Sequence, residues 1–402
     1  MTKLTEGNLK KFIKARIESY KNEDDVVSRY NDEQQTVGDY NGRQILELIQ
    51  NADDAGAENI SFKLDPDNNE LIFFNDGIAF DLEGMKSIMI AHYSSKLTSS
   101  YIGNKGLGFR SVLNWAEGIS IYSAGLKIDF SRDVLEEYLQ NDLKCLDLDD
   151  IRKKRKLSTE CIPIPILGLP RVTTCWYEGC NDTNGCALKI NYKKGKKEDI
   201  INLIKAIDER TLLFLQHIKH VTIQGFPESD LNKSITIHKE DWNIYSKDGV
   251  LGEKYQDKNK SEKKKYSVKI AIPKSGLLND ATSLYNYLPS QEQVHLPFLL
   301  HATVELDSTR NHVNKSDVND FILQKAAELI CDVAQEQLDK TKNCSDWIAY
   351  RMMTPMLQDN YHGRLAPLYD TLDELKQNLA IYPTIDNQYT TTNNYYYYSD
   401  AT

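Results

Sequence analysis

No run in the chain approaches the roughly 20 consecutive apolar residues that a membrane-spanning helix needs. The opening residues, Met1-Thr2-Lys3-Leu4-Thr5-Glu6-Gly7, pass straight into an amphipathic charged segment with no signal-peptide core, so a cytoplasmic protein without a membrane partner is expected. Positive charge is not in surplus. The 49 Lys and Arg against 59 Asp and Glu leave a net charge of −10, which argues against nucleic acid as the default partner. Cysteine is sparse and unpatterned: of seven, Cys175, Cys180 and Cys186 lie close together but lack the C-x-x-C pairing of a zinc knuckle. They read as reduced thiols on or beside strands. No Walker P-loop is present either, because the one dense glycine cluster is not followed by Gly-Lys-Ser/Thr at the required spacing. What remains is an ordinary globular composition, 40% hydrophobic and 27% charged, in a chain long enough for two or three domains.

Within it one stretch stands out, Glu47-Leu48-Ile49-Gln50-Asn51-Ala52-Asp53-Asp54-Ala55. Wound as a helix at about 100° per residue, Glu47, Asn51 and Asp54 share an arc of roughly 60°. Ile45, Leu48, Ile49, Ala52 and Ala55 cluster on another side. A core helix has no reason to align a carboxylate, an amide and a second carboxylate, whereas a helix presenting oxygens to a metal and a water does. The competing reading is that Glu47 merely caps or pairs on a surface. Gly42 and Arg43 open the helix and Gly56 closes it. Upstream, residues 8–21 carry a helical stripe of Leu9, Phe12, Ile13 and Ile17, and 22–41 read as an ordered polar loop.

Downstream, strands are expected at 59–64 and 70–74, with Asp65-Pro66-Asp67-Asn68-Asn69 turning between them. The second strand runs into Asn75-Asp76-Gly77-Ile78-Ala79-Phe80. Such a sequence usually marks a tight turn. One hairpin after the polar-faced helix, however, Asp76 is placed to accept from an exocyclic amine, and Gly77 lets backbone approach a base. A helix near 81–91 leads to a polar Ser-rich loop containing Ser94, Ser95 and Lys96. Then Gly103, Gly106 and Gly108 fall within six residues and a helical pattern follows, an arrangement suited to a phosphate.

Taken together, Glu-x-x-x-Asn-x-x-Asp, Asn-Asp-Gly-x-x-Phe, a Ser-rich lid and Gly-x-x-Gly-x-Gly resemble the GHKL ATPases, which include gyrase, MutL-type repair proteins, histidine kinases and a heat-shock chaperone. The wording of residues 43–113 is most similar to the sacsin and NO VEIN branch. The resemblance implies an α+β fold: a two-layer α/β sandwich, the Bergerat ATP-binding fold, over residues 1–195 with a lid near 92–108. A second, smaller transducer-like α/β domain would follow over 196–342, with a helical C-terminal segment and disordered tail over 343–402.

The same resemblance implies ATP and Mg2+ as cofactors and assigns roles by position. Glu47 matches the general base, Asn51 the magnesium ligand and Asp54 its support. Asp76 matches the adenine reader, with Gly77, Ile78 and Phe80 about the base. Ser95, Lys96, Gly103, Lys105, Gly106, Leu107, Gly108 and Phe109 match the phosphate-facing lid and its hinge. Cys186, in Gly185-Cys186, stands where the family often has Gly-Thr, and a thiol is the poorer hydrogen-bonding group. Asn104-Lys105 also departs from the pair common in the family.

In the second half, strands resume at 171–177 and 187–192, and 198–217 read as one apolar-striped helix bridging to the next domain. That domain has strands near 219–224, 234–238, 266–272 and 300–307, then helices at 317–341, 345–358 and 367–380. The basic run Arg152-Lys153-Lys154-Arg155-Lys156 reads as a solvated helix end. A family-like second domain sends one basic residue to the γ-phosphate, and Arg310 is the candidate, with pairing to Asp307 as the alternative.

Two functions fit. One is a slow, Mg-dependent ATP hydrolase whose lid closure drives conformational change, chaperone-like or in signalling or defence, with a protein client and an ATP-dependent homodimer. The other is a nucleotide-gated interaction module with little or no turnover. A histidine kinase would need an exposed His ahead of the ATP domain, and residues 1–42 contain none.

Overall fold

The computed structural model describes residues 2–39, 42–90, 108–256, 263–307, 309–340, 347–356, 363–384 and 388–394. They form two compact units, Met1–Ile237 and His238–Thr402.

The first unit begins with three helices, α1 (Glu6–Ser19), α2 (Glu23–Asp39) and α3 (Gln44–Asp54). A hairpin of β1 (Asn59–Asp65) and β2 (Glu70–Ile78) follows, then α4 (Leu82–Met89) and a 3-10 turn, Gly108–Asn114. Next come β3 (Ala116–Ser123), β4 (Leu126–Ser131), α5 (Arg132–Asn141), α6 (Leu148–Arg155), β5 (Arg171–Thr174) and β6 (Asn184–Tyr192). The unit ends with α7 (Lys197–Lys205), α8 (Glu209–Leu212), β7 (His220–Gln224) and β8 (Lys233–Thr236). All eight strands join one sheet in the order β5-β4-β3-β6-β2-β1-β7-β8. Every neighbouring pair is antiparallel except β1 with β7.

Strand alternation explains the layering. Phe62, Phe73, Leu188, Ile121 and Ile128 lie on one buried face, each such side chain worth about 2 kcal/mol of burial. The helices α3 and α5 pack on this sheet, while Lys63, Ile72, Lys189, Lys127 and Thr173 stay partly or fully exposed. The first unit is therefore two-layered.

The second unit holds β9 (Trp242–Val250), β10 (Lys265–Pro273), β11 (Thr282–Asn286), β12 (Leu288–Val294) and β13 (Leu299–Ala302), in the order β12-β11-β13-β10-β9. The helix α9 (Asp317–Lys340) buries Ile322, Leu323, Ala326, Ala327, Ile330 and Val333 in a core shared with that sheet. The helices α10 (Ile348–Met353) and α11 (Ala366–Lys376) pack on α9, and β14 (Tyr382–Pro383) pairs with β15 (Tyr389–Thr390). The α+β class, with a sheet-and-helix first unit, a second sheet and C-terminal helices, is as expected from the sequence.

Several expectations need correction. Residues 22–41 are largely the helix α2 rather than a loop. Its inward row is Val26, Tyr30, Glu33 and Val37, and the buried Glu33 breaks the apolar stripe that would have marked it. The expected helix 198–217 is α7 and α8, separated by a turn in which Ile207 N–H donates to the Ile204 carbonyl. The strands near 219–224 and 234–238 are β7 and β8 of the first sheet. The division therefore falls after Ile237 rather than at 195, and the C-terminal helices share the core of the second unit instead of forming a third domain.

Candidate functional site

The helix α3 is amphipathic in an unusual way. Ile45, Leu48, Ile49 and Ala52 are buried, but so are the polar residues Arg43, Gln44, Glu47 and Gln50. Glu47 is only 2% exposed, and its Oε1 lies 3.9 Å from Nε of Arg43. Asn51 and Asp54, on the same polar side one and two turns on, are partly exposed. The helix closes at Gly56 with φ +72°: Gly56 N–H donates to the Asp53 carbonyl, and Ala57 N–H donates to that of Ala52. This is a Schellman ending, in which a left-handed glycine satisfies the last carbonyls.

Asp53 is a residue the sequence did not single out. It is buried, and its carboxylate accepts the N–H groups of Gln216 at 3.0 Å, His217 at 2.8 Å and Ile218 at 3.1 Å. The tandem acids thus divide, Asp53 holding the segment that leads into β7 and Asp54 remaining on the polar side. The signal was available: Asp53 falls about 100° around the helix from Asp54, toward the apolar side.

At the end of β2, Gly77 is required by a close approach. A Cβ there would stand 2.8 Å from the Ala55 carbonyl oxygen, which also accepts Ile78 N–H at 2.9 Å. The strand is thereby fastened to the C-terminus of α3. Asp76 points away. One of its oxygens accepts the N–H groups of Glu58 and Asn59, both at 2.9 Å, and the other accepts the side-chain amide of Asn59 at 2.6 Å.

The residue that shares the buried face with Leu71 and Phe73 is Asn75, 7% exposed, whose Oδ1 accepts Gly77 N–H at 3.2 Å. Register places Asn75 opposite Cys186 on β6, and Cys186 opposite Ser123 on β3. Asn75, Cys186 and Ser123 are a polar row closing a face that is otherwise apolar. Ser123 Oγ accepts the N–H of Phe80 at 3.0 Å and donates to the Gly185 carbonyl at 3.4 Å. Burial pushes the Cys186 thiol far above its ordinary range, with Cys180 adding to the shift, so it is held as a neutral thiol. Phe80 is half-buried and Ile78, at 67%, is a large apolar side chain left in solvent.

Beyond α4, the lid candidates Ser95, Lys96, Gly103, Lys105, Gly106 and Leu107 lie outside the described residues. Gly108 opens a seven-residue 3-10 turn rather than the expected α-helix, and Phe109 is half-buried. The turn is anchored by Arg110, which pairs with Glu33 of α2 at 3.2 Å and donates to the Ile88 carbonyl at 2.7 Å. Arg16 of α1 donates to the next carbonyl, Met89, at 3.0 Å. Glu33 also accepts the N–H groups of Ile166 and Leu167. Burial raises the Glu33 carboxyl above its usual range against the pull of Arg110 and those amides. No local pattern marks this buried pair, whose members are 77 positions apart.

Arg310 belongs to the second unit, in a loop where it takes φ +57° and its N–H donates to the Asp307 carbonyl at 3.0 Å. Among the described residues no cluster of His, Cys, Asp and Glu has the arrangement of a preformed metal site. No described helix is long and apolar enough to cross a membrane.

The first unit is an α+β, two-layer body whose candidate site is the polar side of α3 with the end of β2. Two solved structures are similar to the chain. The N-terminal domain of a DNA repair protein is 11% identical, matching 77% of this chain and 99% of its own with a TM-score of 0.43. The ATPase region of Saccharomyces cerevisiae topoisomerase II is 9% identical, over 69% of this chain and 78% of its own, with a TM-score of 0.38. No family model and no curated protein matches the chain.

Proposed function

We propose that the first unit binds Mg-ATP on the polar side of α3 and hydrolyses it slowly, as a GHKL-type ATPase. The observation that carries this reading is the convergence of Glu47 and Asn51 on one helix side with the β2 end at Asn75–Gly77, fastened to the C-terminus of that helix. The donor set fits a metal-bound nucleotide. An amide oxygen and carboxylates are the hard ligands that Mg2+ takes, and Gly77 lets the end of β2 close against the end of α3.

When bound, Mg-ATP supplies the phosphoanhydride to be cleaved. Asn51 would hold the metal, with Asp54 supporting it. Glu47 orients the attacking water and accepts its proton. The base reader is reassigned from Asp76 to Asn75, because Asn75 faces the helical layer and Asp76 does not. An amide offers the base edge both an acceptor and a donor. Ile78 and Phe80 flank the base, Cys186 and Ser123 continue the polar row, and Ser95, Lys96 and residues 103–109 remain the proposed phosphate contacts.

The test is calorimetry of ATP binding with and without Mg2+, together with steady-state phosphate release by wild type and Glu47→Ala. Binding that depends on Mg2+, with release lost in Glu47→Ala, is the expected result. Equal release by the two proteins overturns the role of Glu47. Tight binding with no release by wild type selects the nucleotide-gated module instead.

A further inference from the structure

We infer that Ser123 is a positioning residue that sets the base preference of the nucleotide site, by holding Phe80 at a fixed distance from Asn75. The inference rests on the nucleotide-binding reading above, in which both residues meet the base. Asn75 pairs with Cys186, but the next paired position on β2 is Ile78, opposite Asn184. Three steps along β2 therefore span two along β6, a bulge of one extra residue that re-aims the chain after it. In the sheet β6 lies between β2 and β3, yet Phe80 N–H reaches Ser123 Oγ on β3 at 3.0 Å. Residues 79 and 80 thus cross the start of β6.

Each amide of this crossing is tied to a different element. Ile78 N–H donates to the Ala55 carbonyl at 2.9 Å, Ala79 N–H to the Thr183 carbonyl at 2.8 Å, and Phe80 N–H to Ser123. The Thr183 anchor is itself fixed, because Asn181 Oδ1 accepts the N–H groups of Thr183 at 2.9 Å and Asn184 at 2.8 Å. Of the three anchors Ser123 alone acts through its side chain, which is buried. Its proton is turned to the Gly185 carbonyl, so a lone pair is left for Phe80. The Phe80 ring is held as well: a Cβ on Gly84 would stand 3.0 Å from its Cδ1, which sets the ring against the first turn of α4.

Asn75, Cys186 and Ser123 lie in register on three adjacent strands. The hydroxyl that fixes Phe80 and the amide that meets the base edge therefore belong to one hydrogen-bonded ladder. A ring and an amide at a set separation engage together only a base of matching width, and a purine and a pyrimidine differ in width. Ser120, three residues earlier on β3, faces the opposite side of the sheet and donates to Asp129, which makes it the natural control.

The experiment measures Kd for Mg-ATP and Mg-CTP by calorimetry, kcat for phosphate release from ATP, and thermal melting, all in the full chain. Wild type is expected to favour ATP. Ser123→Ala should weaken Mg-ATP about fivefold, the worth of one hydrogen bond, and Mg-CTP by less than about twofold. Its kcat at saturating ATP stays within about twofold, since the hydroxyl does not touch the reacting atoms. Ser123→Thr keeps the hydroxyl and the preference, whereas Ser120→Ala melts earlier with the preference unchanged. In an Asn75→Ala background Ser123→Ala no longer alters the ratio of the two Kd values, because the residues act as one unit. An unchanged ratio in Ser123→Ala overturns the inference, as does a wild type without preference or an equal narrowing in Ser120→Ala. Should Ser123→Ala melt too early to assay, Ser123→Cys decides, a thiol being the poorer hydrogen-bonding group. It must narrow the ratio, and a wild-type ratio overturns the inference. Absence of binding of either nucleotide by wild type is a separate outcome, which removes the nucleotide-binding reading itself.

Discussion

His217 donates its backbone N–H to Asp53 at 2.8 Å, binding the segment before β7 to the helix that carries the site. Gln216 and Ile218 donate to the same carboxylate. Removing it strands three N–H groups at once, so Asp53→Ala is expected to cost about 3 kcal/mol in urea unfolding. Asp54→Ala, on the partly exposed polar side, should cost less than about 1 kcal/mol. Nearly equal losses would show that the tandem acids do not divide as described.

Asn75 and Asp76 separate in the same manner. Asn75→Ala should weaken Mg-ATP binding about tenfold, the worth of one buried hydrogen bond, when measured by calorimetry. Asp76→Asn should leave that affinity intact and lower stability by about 1 kcal/mol, since its partners are Glu58 and Asn59. The reverse pattern would return the base-reading role to Asp76.

Gly77→Ala places a methyl 2.8 Å from the Ala55 carbonyl oxygen and 3.0 Å from its Cβ. Both neighbours belong to the α3 ending and have little room to yield. A loss of about 2 kcal/mol in chemical unfolding is expected, with weakened Mg-ATP binding as β2 moves off the helix.

The second unit has its own pH dependence. His301 on β13 is fully buried, and its Nδ1 accepts the N–H of Tyr287 at 3.1 Å. Burial, helped by Lys269, lowers its pKa from 6.5 to about 3. Because the unfolded chain takes up the proton first, the stability from the neutral ring is present above pH 6.5 and is lost as pH falls toward 3. Between pH 7.5 and 5 the loss should be about 2 kcal/mol, read as an earlier melting transition. His301→Gln should flatten that dependence.

The sequence made the site helix legible because two signals agreed there, an apolar stripe on one side and aligned polar residues on the other. The β1–β2 hairpin was legible for similar reasons, its turn composition lying between alternating strands. Asn75 was not singled out because adjacent strand residues face opposite sides, and composition alone does not say which of Asn75 and Asp76 lies on the buried face. The helix α2 was missed because its inward row includes Glu33, whose partner Arg110 is brought to it by the fold. The membership of β7 in the first sheet had no local sign, since its register with β1 is set by pairing across most of the unit.

That β1–β7 pairing bears on how the protein is made. The paired residues, such as Asn59 and His220, are roughly 160 positions apart, a long loop to close before the contact is gained. During synthesis at about 5–20 residues per second, β1 emerges on the order of 10–30 s before its parallel neighbour exists. For that interval the strand carrying Ile60, Phe62 and Leu64 is the outer edge of a growing sheet, with its amides and carbonyls open to any other chain. The nascent first unit therefore keeps the β1 edge unpaired until residue 220 appears, and a chain cut at the expected boundary of 195 would keep that edge open permanently.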